Sequence, residues 1–268
     1  MFKLKKDLKA GEMIKVLGGG EVGSSIYDLI LEAGKDVFLE DLEYVMYKGK
    51  KYGEHSVMTG DITGFGRTDI LHVCIPYSDK FVEIVLDSIK EETELVIIHS
   101  TVKSGTTEEI NRRKCRSVCV HSPVRGIHPN LVESLKTFDK FVGTDDVELF
   151  VKAKKHLNEI GIPVANGGGS RNTELAKIMS TTYYGWNIIF EKEMKKLCDK
   201  EGVDFDMAYT DWNNSYNSGY IRLGGMDHVV RPVLRDTEGK IGGHCITPNC
   251  KLIDTFLTRT ILARDETF

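Results

Sequence analysis

Apolar residues in the first two-thirds of the chain alternate between short continuous runs and helical spacing. Residues 13–17 form one such run, ended by glycines, and Val22, Ile26, Leu29 and Ile30 then recur at helical intervals up to Gly34, a natural helix stop. A second run at 36–40 follows at once. The pattern predicts strand, tight turn, helix and strand, a βαβ unit whose parallel pairing needs a right-handed crossover.

The alternation continues after an irregular stretch at 44–67 that is rich in Gly, Tyr and Lys. Strands are expected at 70–75, 95–99, 117–121, 141–143 and 162–165, with helices at 78–91, 106–113 and 147–160 between them. Such alternation means an α/β fold with a doubly wound, mostly parallel sheet covered on both faces. Gly167-Gly168-Gly169-Ser170 breaks the composition. Beyond it, 172–201 carries Leu175, Ile178, Ile188, Ile189, Met194 and Leu197 with Gly185 as its one strong interruption, and reads as a single long helix. No strand pattern follows, so the expected organisation is a sheet domain over 1–168 and a smaller helical domain over 169–268.

Composition narrows the function. A chain of 268 residues with 41% hydrophobic and 28% charged residues suits two ordinary globular lobes. The net charge of −4 comes from interspersed signs, which argues against a nucleic-acid partner and for a small molecule. Apolar runs fall far short of the roughly 20 residues needed to span a bilayer, and the basic start lacks an apolar signal core, so no membrane partner is expected and the location is read as cytoplasmic. Six cysteines without a secretion signal read as reduced thiols. Cys115/Cys119 and Cys245/Cys250, with His121 and His244, lack a Cys-x2-Cys spacing, so no metal is expected.

The turn Gly18-Gly19-Gly20-Glu21-Val22-Gly23 fits G-x-G-x-x-G and stands between a strand and a helix. In that context Gly18 makes the tight turn, Gly20 lets the backbone approach a pyrophosphate, and Gly23 permits close helix–strand packing. The amides around Glu21 and Val22 then form an anion-binding helix end. An acidic residue is expected about 20 positions on to hold the adenosine ribose; Glu40 lies there and Asp41 adjoins it, and both stay open. A carboxylate at that point repels an extra phosphate, so the expected cofactor is NAD on a Rossmann-type domain.

Further segments occur in a telling order: Val73-Cys74-Ile75-Pro76, Ser100-Thr101-Val102-Lys103-Ser104-Gly105-Thr106-Thr107, Ser122-Pro123-Val124-Arg125, Glu174-Leu175-Ala176-Lys177 and Gly242-Gly243-His244-Cys245. With the glycine turn, they resemble the UDP-glucose/GDP-mannose 6-dehydrogenase family, which includes UDP-N-acetylmannosamine dehydrogenase. The resemblance implies oxidation of a sugar C6 alcohol to a carboxylate by two hydride transfers to NAD, through a thiohemiacetal and a thioester on a cysteine. It implies Cys245 as that nucleophile, Lys177 as the active-site lysine, and Thr101 near the nicotinamide and catalytic water. It also adds Pro76, Ser100 and Thr101 to the cofactor contacts, and the long helix implies a homodimer. A thiol suits its role as nucleophile and leaving group once nearby positive charge lowers its pKa, and a fixed ammonium suits an oxyanion.

Departures from the family pattern qualify this. Val124 stands where a glutamate is usual, Thr181 where an asparagine follows the lysine by four, and Asn249 where an aspartate follows the cysteine by four. Water activation for thioester hydrolysis is the step these changes touch. Family members also continue into a domain that grips the nucleotide of the sugar nucleotide, whereas this sequence stops at Phe268, a short form on which ordinary UDP-sugar binding cannot be assumed. Arg125, Lys177, Thr181, Asn217, Arg231 and His244 are the candidate substrate contacts, Arg125 and Arg231 because arginine binds carboxylate or phosphate bidentately. His121, His128 and His244 are possible proton carriers. Two other readings stand beside the first: a catalytically altered NAD sensor or assembly subunit, and a two-electron dehydrogenase of the 6-phosphogluconate or 3-hydroxyisobutyrate kind.

Overall fold

The computed structural model describes residues 12–41, 45–47, 50–52, 67–127, 130–225, 227–235, 238–241 and 245–268. Among them the chain forms two compact units, Met1–Lys177 and Ile178–Phe268.

The first unit opens with the expected βαβ element: β1 (Ile14–Leu17), α1 (Glu21–Glu32) and β2 (Val37–Glu40). It continues through β3 (Val45–Tyr47), β4 (Lys50–Tyr52), β5 (Ile70–Val73), α2 (Phe81–Ser88), β6 (Leu95–Ile98), α3 (Thr106–Lys114) and β7 (Cys119–His121). Then come α4 (Leu131–Thr137), β8 (Lys140–Val142), α5 (Val147–Glu159), β9 (Val164–Asn166) and the start of α6 (Ser170–Glu201). Five strands pair in parallel in the order β2-β1-β5-β6-β7. The chain moves outward from β1 to β2 and then in the other direction through β5, β6 and β7. The carboxyl ends of β1 and β5 therefore form the switch point where such sheets open a crevice.

Both sheet faces are covered, as a doubly wound sheet requires. On one face Ile26, Leu29 and Ile30 of α1, Leu131 and Leu135 of α4, and Leu149 and Leu157 of α5 pack with Ile14, Val16 and Ile97. On the other, Phe81 and Val85 of α2 and Ile110 of α3 pack with Leu71, Val73, Val96 and Ile98. Three details differ from the sequence pattern. An antiparallel β3–β4 hairpin lies in the stretch read as irregular, because three-residue strands are too short to show a period. The seven-residue α4 adds two buried leucines that spacing alone did not reveal. The strands expected at 141–143 and 162–165 do not extend the main sheet; β8 and β9 pair in parallel with each other, and a His121–Gly143 bridge joins this pair to β7.

The second unit holds the rest of α6, a π-helical segment Asp206–Asp211, α7 (Trp212–Arg222), a 3-10 turn Asp227–Val229, α8 (Ile246–Cys250) and α9 (Phe256–Asp265). Its core is small: Ile189, Ile241, Ile246, Cys250 and Ile261. Gly185, the interruption in the helical pattern, is required here. A β-carbon on it would lie 2.8 Å from Cγ2 of Ile246 and 3.1 Å from Cδ1 of Ile261.

The first unit also buries a chain of imidazoles. His72 Nδ1 lies 2.9 Å from His99 Nε2, and His72 Nε2 lies 2.9 Å from His156 Nε2. Burial holds His72 and His99 well below the usual histidine pKa, with Lys140, His121 and His156 adding repulsion, and lowers His156 to about 4, with Lys35 opposing and Glu159 favouring its charge. The Glu12 carboxylate is 4.0 Å from His156 Nδ1. An unfolded chain therefore binds protons that the native chain refuses. The stability from these neutral rings is complete above the ordinary value near 6.5 and is lost as pH falls toward about 4. Urea unfolding compared at about pH 7.5 and about pH 5 is expected to show a loss of about 2 kcal/mol from His156 alone, and His156→Gln to flatten the profile; equal stabilities at the two pH values would contradict neutral burial.

Candidate functional site

Leu17 ends β1, and the glycine turn lifts the chain directly into α1. Gly18 takes a left-handed φ of 102°, and a β-carbon on it would lie 2.8 to 3.0 Å from the backbone of Cys74 and Ile75. Gly23 is tighter still, since a β-carbon there would sit 1.7 Å from the Gly18 carbonyl oxygen. These glycines let backbone rest on backbone. Gly20 behaves differently: a β-carbon on it would meet no heavy atom within 4 Å, so it faces open space at the start of α1. No side chain caps that helix end, where Gly20 is the N-cap and Glu21 and the half-buried Val22 form the first turn. The arrangement fits a dinucleotide pyrophosphate, with a helix end to attract the anion and no side chain to exclude it.

The two acidic candidates part company. Glu40 is the last residue of β2 and pairs with Lys15 on β1. Asp41, one residue past the strand, reaches the turn, and its Oδ2 accepts the Gly19 N–H at 2.5 Å. Pro76 is exposed beyond β5, while Ser100 closes the carboxyl end of β6 by donating its hydroxyl to the Ile75 carbonyl at 2.6 Å. Thr101 is half-buried next to it.

Lys177, half-buried on α6, donates from Nζ to the Val124 carbonyl at 2.8 Å. The Val124 side chain itself lies in the apolar core at 8% exposure, so this position offers its backbone oxygen where a carboxylate was usual. His121 is fully buried. Its Nε2 donates to the Ser100 carbonyl at 3.1 Å and its Nδ1 accepts from Thr173 Oγ1 at 2.8 Å, while burial lowers its pKa to about 3. That makes it a neutral bridge rather than a proton carrier at ordinary pH. Arg125 is exposed, with its guanidinium over Phe138 and Phe141 and one N–H donated to the Asp139 carbonyl.

In the second unit, half-buried Cys245 is the N-cap residue of α8. One turn later the Asn249 N–H returns to the Cys245 carbonyl at 3.2 Å, and the Asn249 side-chain amide donates to the Thr181 hydroxyl at 3.3 Å. Two of the three departures noted in the sequence therefore partner each other. Asn217 brackets the backbone of Arg231, whose guanidinium stacks over Tyr216 at 4.4 Å. His128 and His244 lie outside the described residues. Among the described residues, no group of three or more His, Cys, Asp or Glu side chains is placed to hold a metal. None of the described helices is long and apolar enough to cross a membrane. Burial pushes the Cys74 thiol up to about 12, which leaves it inert.

Sequence reasoning passed over two features, one in each unit. The Asn249–Thr181 pair needed the fold, since 68 residues separate its members. The buried Glu174 carboxylate, which accepts from Gly105 and Thr107, gave no signal beyond its place in the Glu-Leu-Ala-Lys segment.

No protein-family model matches the chain. A UDP-N-acetyl-D-mannosamine dehydrogenase of Methanocaldococcus jannaschii is 23% identical over 291 aligned positions, which cover 92% of this chain and 62% of that protein. The chain thus spans about three-fifths of the length of the curated relatives it matches most fully. The UDP-D-ManNAc dehydrogenase of Pyrococcus horikoshii superposes with a TM-score of 0.73 at 19% identity, covering 95% of this chain and 68% of that one. The 3-hydroxyisobutyrate dehydrogenase of Mycobacterium tuberculosis superposes with a TM-score of 0.67 at 14% identity, covering 96% of this chain and 94% of that one. The chain is therefore similar in sequence, over most of its length, to UDP-N-acetyl-D-mannosamine dehydrogenases, and it shares with them and with the 3-hydroxyisobutyrate enzyme a Rossmann-type sheet followed by a helical part.

Proposed function

We propose that this chain is an NAD-dependent oxidoreductase that oxidises an alcohol of a nucleotide sugar, or of a similar sugar-like or hydroxy-acid substrate. The observation that carries the reading is the glycine turn at the switch point, with Asp41 beside it and an open helix end above Gly20. Gly18, Gly20, Glu21, Val22 and Gly23 would hold the pyrophosphate through backbone, and Asp41 rather than the paired Glu40 would hold the adenosine ribose. When bound, the nicotinamide supplies the hydride acceptor. Ser100 and Thr101, just past the carboxyl end of β6, would contact that ring.

Lys177 serves as a fixed positive charge for an oxyanion at the reacting carbon, oriented by the Val124 carbonyl. Cys245 is the nucleophile that carries a first aldehyde product into a second oxidation. Val124 and Asn249 cannot take a proton from water, so hydrolysis from Cys245 is the step least supported by these residues. Arg231, with Asn217 holding its backbone, and Arg125 supply cationic surfaces for an anionic substrate group. A second reading, a single two-electron oxidation of a hydroxy acid, is favoured by the Asn249–Thr181 pair, neither member of which can act as a base for hydrolysis.

Calorimetric titration is expected to show NAD+ binding, with NADP+ weaker, Asp41→Ala weaker than wild type by about tenfold or more, and Gly20→Val folded but with no measurable binding. Equal NAD+ affinity in Gly20→Val would remove the turn from the site. Counting NADH formed per substrate consumed separates the two chemistries. Two per substrate in the wild type, with acid formation lost in Cys245→Ser, supports the four-electron reaction; one, unchanged by that substitution, supports the second reading.

The helical domain is also proposed to form a homodimer. Met179, Tyr183, Phe190 and Leu197 are exposed on α6 at spacings of four, seven and seven, a stripe that a second copy would cover. Light scattering on the wild type is expected to give a dimer mass and on Phe190→Asp a monomer; a monomeric wild type at about 50 μM would discard the dimer.

A further inference from the structure

Thr173, Glu174 and Lys177 lie within the first two turns of α6, and each holds a different stretch of backbone. Glu174 is completely buried at 0% exposure. Its carboxylate accepts the Gly105 N–H at 2.6 Å, the Thr107 N–H at 2.9 Å and the Thr107 hydroxyl at 2.7 Å. Those donors start α3, whose own N-cap is Gly105 in the left-handed region at φ 94°, with no side chain to offer. A residue distant in sequence therefore supplies the cap, and it joins the helix end that attracts negative charge.

The opposite end of the same segment is held by the neighbouring residue. Ser100 gives its carbonyl to His121 Nε2 at 3.1 Å, and His121 Nδ1 meets Thr173 Oγ1 at 2.8 Å. Because a carbonyl only accepts, the His121 proton resides on Nε2 and Nδ1 accepts from Thr173. Segment 100–107, which carries Thr101, is thus tied at both ends to adjacent residues of α6. One helical turn past Thr173 and Glu174, Lys177 grips Val124.

We propose that Glu174 is a positioning residue for the hydride-transfer reaction: its buried cap on α3 fixes the Thr101 segment in register with the turn of α6 that carries Lys177. The physical basis is that a carboxylate accepting three short bonds from one helix start has a single arrangement, whereas water or an amide in its place allows several. Burial raises the Glu174 pKa, the three donors oppose that rise, and Glu108 adds a smaller repulsion. Small displacements between two reacting groups are costly to the chemical step and much less so to binding.

The inference rests on the oxidoreductase reading, and the test separates the two. Glu174→Gln keeps the volume but points an amide N–H2 at donors, and Thr107→Val deletes one of the three bonds. With a substrate that the wild type oxidises, Glu174→Gln is expected to lower kcat by about tenfold or more while the KM and the calorimetric Kd for NAD+ stay within about threefold. Thr107→Val is expected to lower kcat by about two- to fivefold with its unfolding midpoint kept, and it carries the test should Glu174→Gln not fold. A kcat within about twofold of wild type in a folded Glu174→Gln overturns the proposal. So does a kcat loss matched by an equal loss of NAD+ affinity, because a merely structural role weakens both together. Failure of the wild type to reduce NAD+ with any substrate is a distinct result, which removes the oxidoreductase reading and this inference with it.

Discussion

The carbonyl oxygen of Gly18 occupies the space that a β-carbon on Gly23 would need, and Gly18 in turn rests against the backbone of Cys74 and Ile75. Three pieces of main chain, from the end of β1, the start of α1 and the end of β5, meet there without an intervening side chain. That close approach sets where α1 begins, and so where its N–H groups point. It also fixes the carboxyl ends of β1 and β5 side by side, and the rest of the site is arranged around that edge: Asp41 reaching back to Gly19, Ser100 closing on Ile75. A single methyl group on Gly18 or Gly23 would disturb all of these together.

A second constraint is the satisfaction of polar groups inside the first unit. Fully buried His121, Thr173 and Glu174 all face backbone or one another at hydrogen-bond distance. Such groups destabilise a core when unpaired and specify one arrangement when paired. The imidazole chain of His72, His99 and His156 is paired ring to ring but leaves Nδ1 of His99 and of His156 without a hydrogen-bond partner. Burial keeps its members neutral below the pH at which an unfolded histidine takes up a proton, so the native state loses stability as the pH falls through that range.

The positions that depart from the family pattern acquire new physical roles. Val124 contributes a side chain to the core and a carbonyl to Lys177. Asn249 caps a short interaction between α8 and α6 by donating to Thr181. Neither arrangement supplies a base, and both are locally satisfied. Neither Val124 nor Asn249 offers a proton acceptor, so under the proposed oxidoreductase reading the number of hydrides transferred is what divides the two chemistries.

Periodicity in the sequence was enough to determine the βαβ start, the parallel alternation, the long helix and the glycine turn, because each is a local pattern of side-chain size repeated over one element. The short elements escaped it: three residues of β3, β4 or β8 and seven of α4 are too few to show a period, and whether they join a sheet depends on partners distant in the chain. Local spacing likewise left Glu40 and Asp41 equivalent. Tertiary structure separated them, since Lys15 on the neighbouring strand neutralises Glu40 while the chain past β2 carries Asp41 to the turn. The same holds for Glu174, His121 and the Asn249–Thr181 pair. A hydrogen bond between residues far apart in sequence leaves no trace in either local pattern, so only the folded chain decides it.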